Sequence, residues 1–287
     1  MNWQQLIAAG PVLTDGAWGT QLQARGLAVG DFPDEWNLTH PDKVSEVAAA
    51  YVRAGSQVIL TNTFGANRVR MAGHADVSRL EQVNRRGVEL SRAAAGSQAA
   101  VFASIGPSGK MLVSGEVSEE ELASAYAEQA RVLAAAGADA LVVETMADLS
   151  EAILAVKAAK GTGLPVVACM VFDSGKNKDR TIMGTTPEQA AQALSAAEAD
   201  VIGANCGQGI SGFVSICRRL RASCSRPIWI KANAGLPVMV NGKPEYQTTP
   251  EEFASFLPAL IEAGASFIGG CCGTSPAFIA ALKSARR

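Results

Sequence analysis

Four times along the chain, the end of a helical pattern passes through a small-residue turn straight into an apolar run. The units are Arg53-Ala54-Gly55-Ser56-Gln57-Val58-Ile59-Leu60, Ala136-Gly137-Ala138-Asp139-Ala140-Leu141-Val142-Val143, Ala197-Glu198-Ala199-Asp200-Val201-Ile202 and Ala263-Gly264-Ala265-Ser266-Phe267-Ile268. They lie roughly 60 to 80 residues apart, which leaves room for one more strand and helix between neighbouring units. Residues 11–14, 100–104, 165–170 and 227–231 supply the other four strands. Short, continuous apolar runs of this kind suit parallel strands buried on both faces. Helical patterns separate them, for example over 119–136, 148–160 and 250–263. Two carry start signals: Ser118 three residues before Glu121, and Thr249 before Pro250. Eight strands alternating with helices, with no linker rich in Pro, Ser or charge, predict an α/β fold. The expected form is a (β/α)8 TIM barrel, a single domain over 1–287. The alternative, an open doubly wound sheet, lacks an early glycine-rich phosphate loop to support it.

The remaining composition narrows the class. With 48% apolar residues, the 287-residue chain can bury a large core. A formal net charge of −2 and no basic cluster argue against a nucleic-acid partner. No apolar run is long enough to span a membrane, and the start, Met1-Asn2-Trp3-Gln4-Gln5, lacks the pattern of a signal peptide. Six unevenly spaced cysteines do not resemble a disulfide framework, so the expectation is a soluble cytoplasmic protein with reduced thiols.

In such a barrel the strand ends and the loops after them build the functional face. The longest insertions, 17–41, 64–76, 106–117, 172–187 and 233–249, all follow strand ends. The side chains expected on that rim are Asp15, Asn62 and Thr63, Ser104, Glu144, Met170, Asn205 and Cys206, Lys231, and the stretch Gly269-Gly270-Cys271-Cys272-Gly273-Thr274. For two adjacent thiols to face one target the backbone must turn sharply, and the flanking glycines permit that. The doublet alone is equally compatible with buried structural thiols, and a strained vicinal disulfide is a further alternative. Cys206, in Gly203-Ala204-Asn205-Cys206-Gly207, changes the balance, because it ends the sixth predicted strand while the doublet ends the eighth. Three thiolates at one rim make a zinc site with one open position, the arrangement of a catalytic site. Cys169, Cys217 and Cys224 fall within a strand or in and after a helix and read as core or surface thiols. His40 and His74, the only histidines, fall in loops.

Asp15 and Glu144 also end strands at the mouth and are candidates to hold a ligand's ammonium group. The small residues of Asp15-Gly16-Ala17-Trp18-Gly19-Thr20 could offer free backbone N–H groups, Gly16 and Ala17 among them, to a carboxylate. Acids, an amide nest and a thiophilic metal together suggest an amino acid bearing a thiol.

These residues resemble the homocysteine S-methyltransferase family, and within it most of all the homocysteine-binding domain of cobalamin-dependent methionine synthase. The resemblance runs over nearly the whole chain. Besides the motifs quoted, it rests on Thr61-Asn62-Thr63-Phe64-Gly65-Ala66, Ser104-Ile105-Gly106-Pro107-Ser108-Gly109, Glu144-Thr145-Met146, Asn205-Cys206-Gly207 and Asn233-Ala234-Gly235-Leu236-Pro237. It implies an eight-fold α/β barrel that transfers a methyl group to homocysteine to form methionine. It also implies Zn2+ on Cys206, Cys271 and Cys272, the substrate's amino group on Asp15 and Glu144, and Asn233 at the fourth zinc position before substrate arrives. The motifs over 61–66 and 233–237 resemble the cobalamin-dependent branch, although Ala232 stands where proline is expected. The chain carries no Asp-x-His-x-x-Gly cobalamin signature of its own. The expected donor is therefore methylcobalamin or another methyl-corrinoid on a separate protein. A small donor such as S-methylmethionine or betaine, and a non-catalytic zinc-binding barrel subunit, are the alternatives.

Overall fold

A computed structural model describes residues 3–240 and 243–286. Eight parallel strands form its centre: β1 (Val12–Leu13), β2 (Val58–Ile59), β3 (Ala100–Ile105), β4 (Ala140–Met146), β5 (Val166–Met170), β6 (Val201–Gly209), β7 (Ile228–Asn233) and β10 (Ala265–Gly270). A two-stranded antiparallel hairpin, β8 (Val238–Val240) and β9 (Lys243–Glu245), lies between the last two. The sheet order is β1-β10-β7-β6-β5-β4-β3-β2. The Gln57 N–H donates to Leu13 O at 2.8 Å, and Leu13 N–H donates to Gln57 Oε1 at 3.2 Å, so β2 is stitched back to β1. The expected (β/α)8 barrel is therefore nearly closed, with every parallel strand ending on the same rim.

Every described strand of the barrel is buried over most of its length, which is why these segments read as continuous apolar runs. Inside the barrel, Trp229, Phe102 and Phe267 stack with their ring centroids 5.0 to 6.5 Å apart, and Val12, Val142, Cys169 and others fill the space around them. A larger apolar layer lies between the strands and the surrounding helices and includes Cys217, whose thiol meets Ala263 O at 3.6 Å. Those two cysteines are core thiols, as expected from their positions.

The start signals work as local chemistry predicts. Ser118 accepts from Glu121 N–H while the Glu121 carboxylate accepts from Ser118 N–H, a complete capping box on the helix Glu119–Ala135. Asp148 caps Leu149–Lys160, and Thr249 caps Pro250–Ser255. One expectation changes. The single helix over 250–263 is two, Pro250–Ser255 and Leu257–Glu262, because Pro258 has no N–H to continue the hydrogen-bond ladder. The insertion 233–249, expected as loop, contains the antiparallel pair β8–β9; residues 241–242, between these strands in the chain, lie outside the described residues. Among the described residues no helix is long and apolar enough to cross a membrane.

Gly203, the third residue of β6, lies against the backbone of Trp229, and an added Cβ would stand 2.1 Å from Trp229 O. That oxygen belongs to the neighbouring strand and cannot swing away. Gly203→Ala should therefore destabilise the barrel by about 3 kcal/mol, the upper end of ordinary overpacking, read as a lowered urea midpoint with an unchanged m-value.

Candidate metal centre and substrate cavity

Two strand ends break their ladders at the mouth, and both breaks carry site residues. In β4 the register with β5 shifts between Val143 and Met146, and Thr145 adopts φ 61°. In β6 the register with β7 shifts between Asn205 and Gly209, and Cys206 adopts φ 63° with Gly207 at φ 80°. A β-branched residue in the left-handed region is a strained arrangement, and such bulges re-aim side chains at strand ends. Here they accompany Glu144 and Cys206, which both line the cavity at the mouth.

The doublet approaches from β10. Cys271 N–H donates to Ala232 O at 2.7 Å, and Ala234 N–H donates to Cys272 O at 3.0 Å, tying the turn to the end of β7. Gly269 and Gly270 were expected to let the chain bend, but they serve close approach instead. An added Cβ would stand 2.0 Å from Thr14 Oγ1 at Gly269 and 2.3 Å from Thr274 Oγ1 at Gly270. Only Gly273 of this stretch has positive φ, 79°. It lies under the ring of Tyr246, which follows β9, and an added Cβ there would stand 2.1 Å from Tyr246 Cγ.

The outcome is a cluster in which the Sγ atoms of Cys206, Cys271 and Cys272 all lie within 4.8 Å of one another. Cys206 and Cys272 are 3.8 Å apart. Two sulfurs bound tetrahedrally at ~2.3 Å are separated by about 3.8 Å, so the spacing suits a zinc ion. Asn233 strengthens the fit. Its side chain hydrogen-bonds Cys206, while its Oδ1 is buried with no hydrogen-bond partner among the described residues. Left as three thiols, the cluster ionises unevenly. Hydrogen bonds from Cys271 and Cys272 pull Cys206 down to about 3, and contact with the Cys206 sulfur pushes Cys271 up and Cys272 up to about 12. Each further thiolate is opposed by the first, an opposition that a divalent cation removes.

Beside the sulfurs opens a cavity of about 460 Å³, lined by Trp18, Phe64, Arg70, Glu144, Lys231 and the three cysteines among others. Glu144 is 7% exposed; its carboxylate accepts from Ser104 Oγ at 2.5 Å and from Asn205 Nδ2 at 3.4 Å. Burial raises its pKa above the ordinary carboxylate value, with the Lys231 charge opposing. Ser104 is itself held by the Thr61 and Thr63 hydroxyls: Ser104 N–H donates to Thr61 Oγ1 at 3.1 Å and Thr63 Oγ1 donates to Ser104 O at 2.7 Å. The motif over 61–66 thus supports the carboxylate from two strands away.

Asp15 is placed differently from Glu144. It is fully buried, and its carboxylate accepts from Lys231 Nζ at 2.5 Å, from Trp18 Nε1 at 2.8 Å and from Leu60 N–H at 2.7 Å. Lys231, itself buried, was legible only as a strand end and not as the partner of Asp15. Burial acts to lower the Lys231 pKa, but the Asp15 and Glu144 charges outweigh it and hold the ammonium protonated. The expected amide nest is only partly free. Gly16 and Ala17 line the cavity, yet Ala17 N–H donates to Thr274 Oγ1 at 3.1 Å. The amides that follow open the short helix Gly19–Gln23, which has no side-chain cap at Trp18.

Comparison with known proteins accords with this geometry. Residues 12–286 match the model of the family described as homocysteine S-methyltransferase. The chain belongs to that family. It is 32% identical over 290 aligned residues to the methionine synthase of Mycobacterium tuberculosis, and 30% identical over 300 to that of Mycobacterium leprae. These alignments take in 94% and 98% of this chain but only 24% and 25% of the relatives, so the chain spans about a quarter of their length. Among solved structures it is similar to the homocysteine methyltransferase MmuM from Escherichia coli at 25% identity. The TM-score is 0.80 for the metallated form, covering 96% of both chains, and 0.82 for the oxidized form, covering 99% of both.

Two outcomes follow from the buried charges. Asp15→Ala strands the Lys231 ammonium in the barrel mouth and should cost about 3–5 kcal/mol of stability in urea unfolding, the usual cost of breaking a buried pair. Asp34, also on the cavity wall, is 2% exposed, and burial pushes its carboxyl up to about 7 against an opposing Gly65 N–H bond. A folded value above the ordinary 3.8 means that the folded chain binds this proton more tightly. This group therefore lowers stability as pH rises from about 4 to about 7. Asp34→Asn should flatten that part of the pH–stability profile, measured as urea midpoints across the same window.

Proposed function

We propose that residues 1–287 act as one homocysteine-binding barrel that methylates the sulfur of L-homocysteine to form methionine. Zinc on Cys206, Cys271 and Cys272 is the proposed cofactor. The observation that carries this reading is the meeting, in one cavity, of three sulfurs within 4.8 Å of one another and a buried carboxylate, Glu144. When bound, the zinc supplies a Lewis acid that keeps the substrate thiol ionised at neutral pH.

Glu144 takes the substrate's ammonium directly. Asp15 contributes its charge from below, through Lys231: two carboxylates and one ammonium leave one net negative charge, which the substrate's ammonium neutralises. Gly16 and the amides opening the helix Gly19–Gln23 receive the substrate's carboxylate, with Ala17, whose N–H is held by Thr274, as part of the wall beside it. Asn233, with its Oδ1 free, is the proposed occupant of the remaining metal position before homocysteine enters. The homocysteine sulfur then attacks the donor's methyl carbon in line. The new S–CH3 bond takes the sulfur's electron pair, and the donor leaves with the pair of the broken bond. The setting proposed is the cytoplasm, in keeping with six free cysteines.

The proposed donor is a methyl-corrinoid carried by a separate protein, a reading supported by the resemblance of the motifs over 61–66 and 233–237 to the cobalamin-dependent branch. A small donor such as S-methylmethionine or betaine is the second reading. It is favoured by a cavity of about 460 Å³, far more than one homocysteine fills. Turnover with S-methylmethionine, betaine, free methylcobalamin and a methylated corrinoid protein separates the two.

Zinc X-ray absorption with and without homocysteine should show one nitrogen or oxygen neighbour replaced by sulfur. An unchanged shell would favour a non-catalytic zinc-binding barrel. Cys206→Ala should lose both zinc stoichiometry and turnover. Glu144→Ala should weaken homocysteine binding roughly ten- to a hundredfold, the value of a hydrogen bond to a charged group. It should leave zinc affinity and the binding of the deamino analogue, 4-mercaptobutyrate, nearly unchanged.

A further inference from the structure

Asn205 sits fully buried between the two halves of the site. Its Oδ1 accepts the Thr145 N–H at 2.7 Å, which fixes the orientation of the amide, because a backbone N–H must meet the oxygen. The other end, Nδ2, has two hydrogens and three acceptors. One hydrogen goes to Thr145 Oγ1 at 2.6 Å. Glu144 Oε2 at 3.4 Å and Cys271 Sγ at 3.8 Å compete for the second. The first pair of bonds clamps Thr145 in its left-handed conformation. The second N–H joins a carboxylate of the substrate cavity to a sulfur of the metal cluster.

We propose that Asn205 is a positioning residue that couples occupation of Glu144 by the substrate's ammonium to the charge on the Cys271 sulfur, through this one shared N–H. The proposal rests on the methyltransferase reading and deepens it. With the cavity empty, the buried carboxylate is the stronger acceptor and draws the N–H. Once an ammonium satisfies Glu144, the N–H turns to Cys271, where it tempers the negative charge that a fourth thiolate adds to the cluster. Amino-group recognition and sulfur ligation then reinforce each other, so a thiol without the amino group gains only part of the effect.

The clamp and the coupling can be separated. Glycine adopts φ near 61° without support, so Thr145→Gly removes the need for the clamp. It also removes Thr145 Oγ1, which frees the first Nδ2 hydrogen, so that Glu144 and Cys271 each receive one and no longer compete. Cobalt(II) replaces zinc as a spectroscopic probe, and the sulfur-to-cobalt charge-transfer band is recorded with homocysteine and with 4-mercaptobutyrate. In the wild type the band with homocysteine should lie at higher energy than with 4-mercaptobutyrate, and in Thr145→Gly the two bands should coincide near the wild-type homocysteine position. In the double variant Thr145→Gly/Asn205→Ala the two bands should coincide near the wild-type 4-mercaptobutyrate position, and the affinity preference for homocysteine should fall by about fivefold from the wild type, the lower end of site-to-site coupling. A band difference that survives in the double variant, or is absent from the wild type while both thiols bind, overturns the coupling and spares the methyltransferase reading. No cobalt response to either thiol in any variant overturns both.

Discussion

An ammonium buried at the mouth of a barrel must meet negative charge, and the ion pair between Lys231 of β7 and Asp15 beyond β1 meets that demand across the intervening strand β10. The pair joins first and seventh barrel strands, and β10 fits between their ends only because it finishes in two glycines. Side chains there would collide with Thr14, Asp15 O and Thr274. The same narrow passage delivers Cys271 and Cys272 to the rim, held by backbone bonds to Ala232 and Ala234. Charge burial, glycine placement and convergence of the sulfurs are therefore one packing problem with one solution.

Farther around the mouth, Thr145 and Cys206 hold left-handed conformations at bulges in β4 and β6. Local strain of this kind persists only where surrounding contacts over-determine it. Asn205 supplies them for Thr145 through both ends of its amide, and Ser104, backed by Thr61 and Thr63, fixes the neighbouring carboxylate. The cavity is thus built on strand ends and their direct supports, while the flanking loops contribute walls: Phe32 and Asp34 after β1, Phe64 and Arg70 after β2.

Much of this was legible in the residues. The eight apolar runs correspond to the eight parallel strands, because burial on both faces leaves no polar alternation to blur them. Cys206, Cys271 and Cys272 could be selected because strand ends in a barrel share a rim. Cys169 and Cys217 could be set aside because their positions point into the core. Less was visible for the charges. Asp15 and Glu144 looked equivalent as strand-ending acids, yet one is saturated by Lys231, Trp18 and Leu60 while the other faces the cavity. Asp34 and Tyr246 gave no signal, since each sits in an insertion with no periodicity, and the hairpin carrying the chain to Tyr246 is short.

The sequence by itself determined the fold and the identity of the sulfur cluster, because strand order and the rim positions follow from local periodicity and chain topology alone. Tertiary structure decided how the buried charges divide, which amides remain free, and which small residues bend the chain and which make room for it. Those outcomes depend on distances between groups as much as 257 residues apart, such as Ala17 and Thr274. Electrostatic and steric energies change over a few ångströms, a scale that no pattern along the chain encodes.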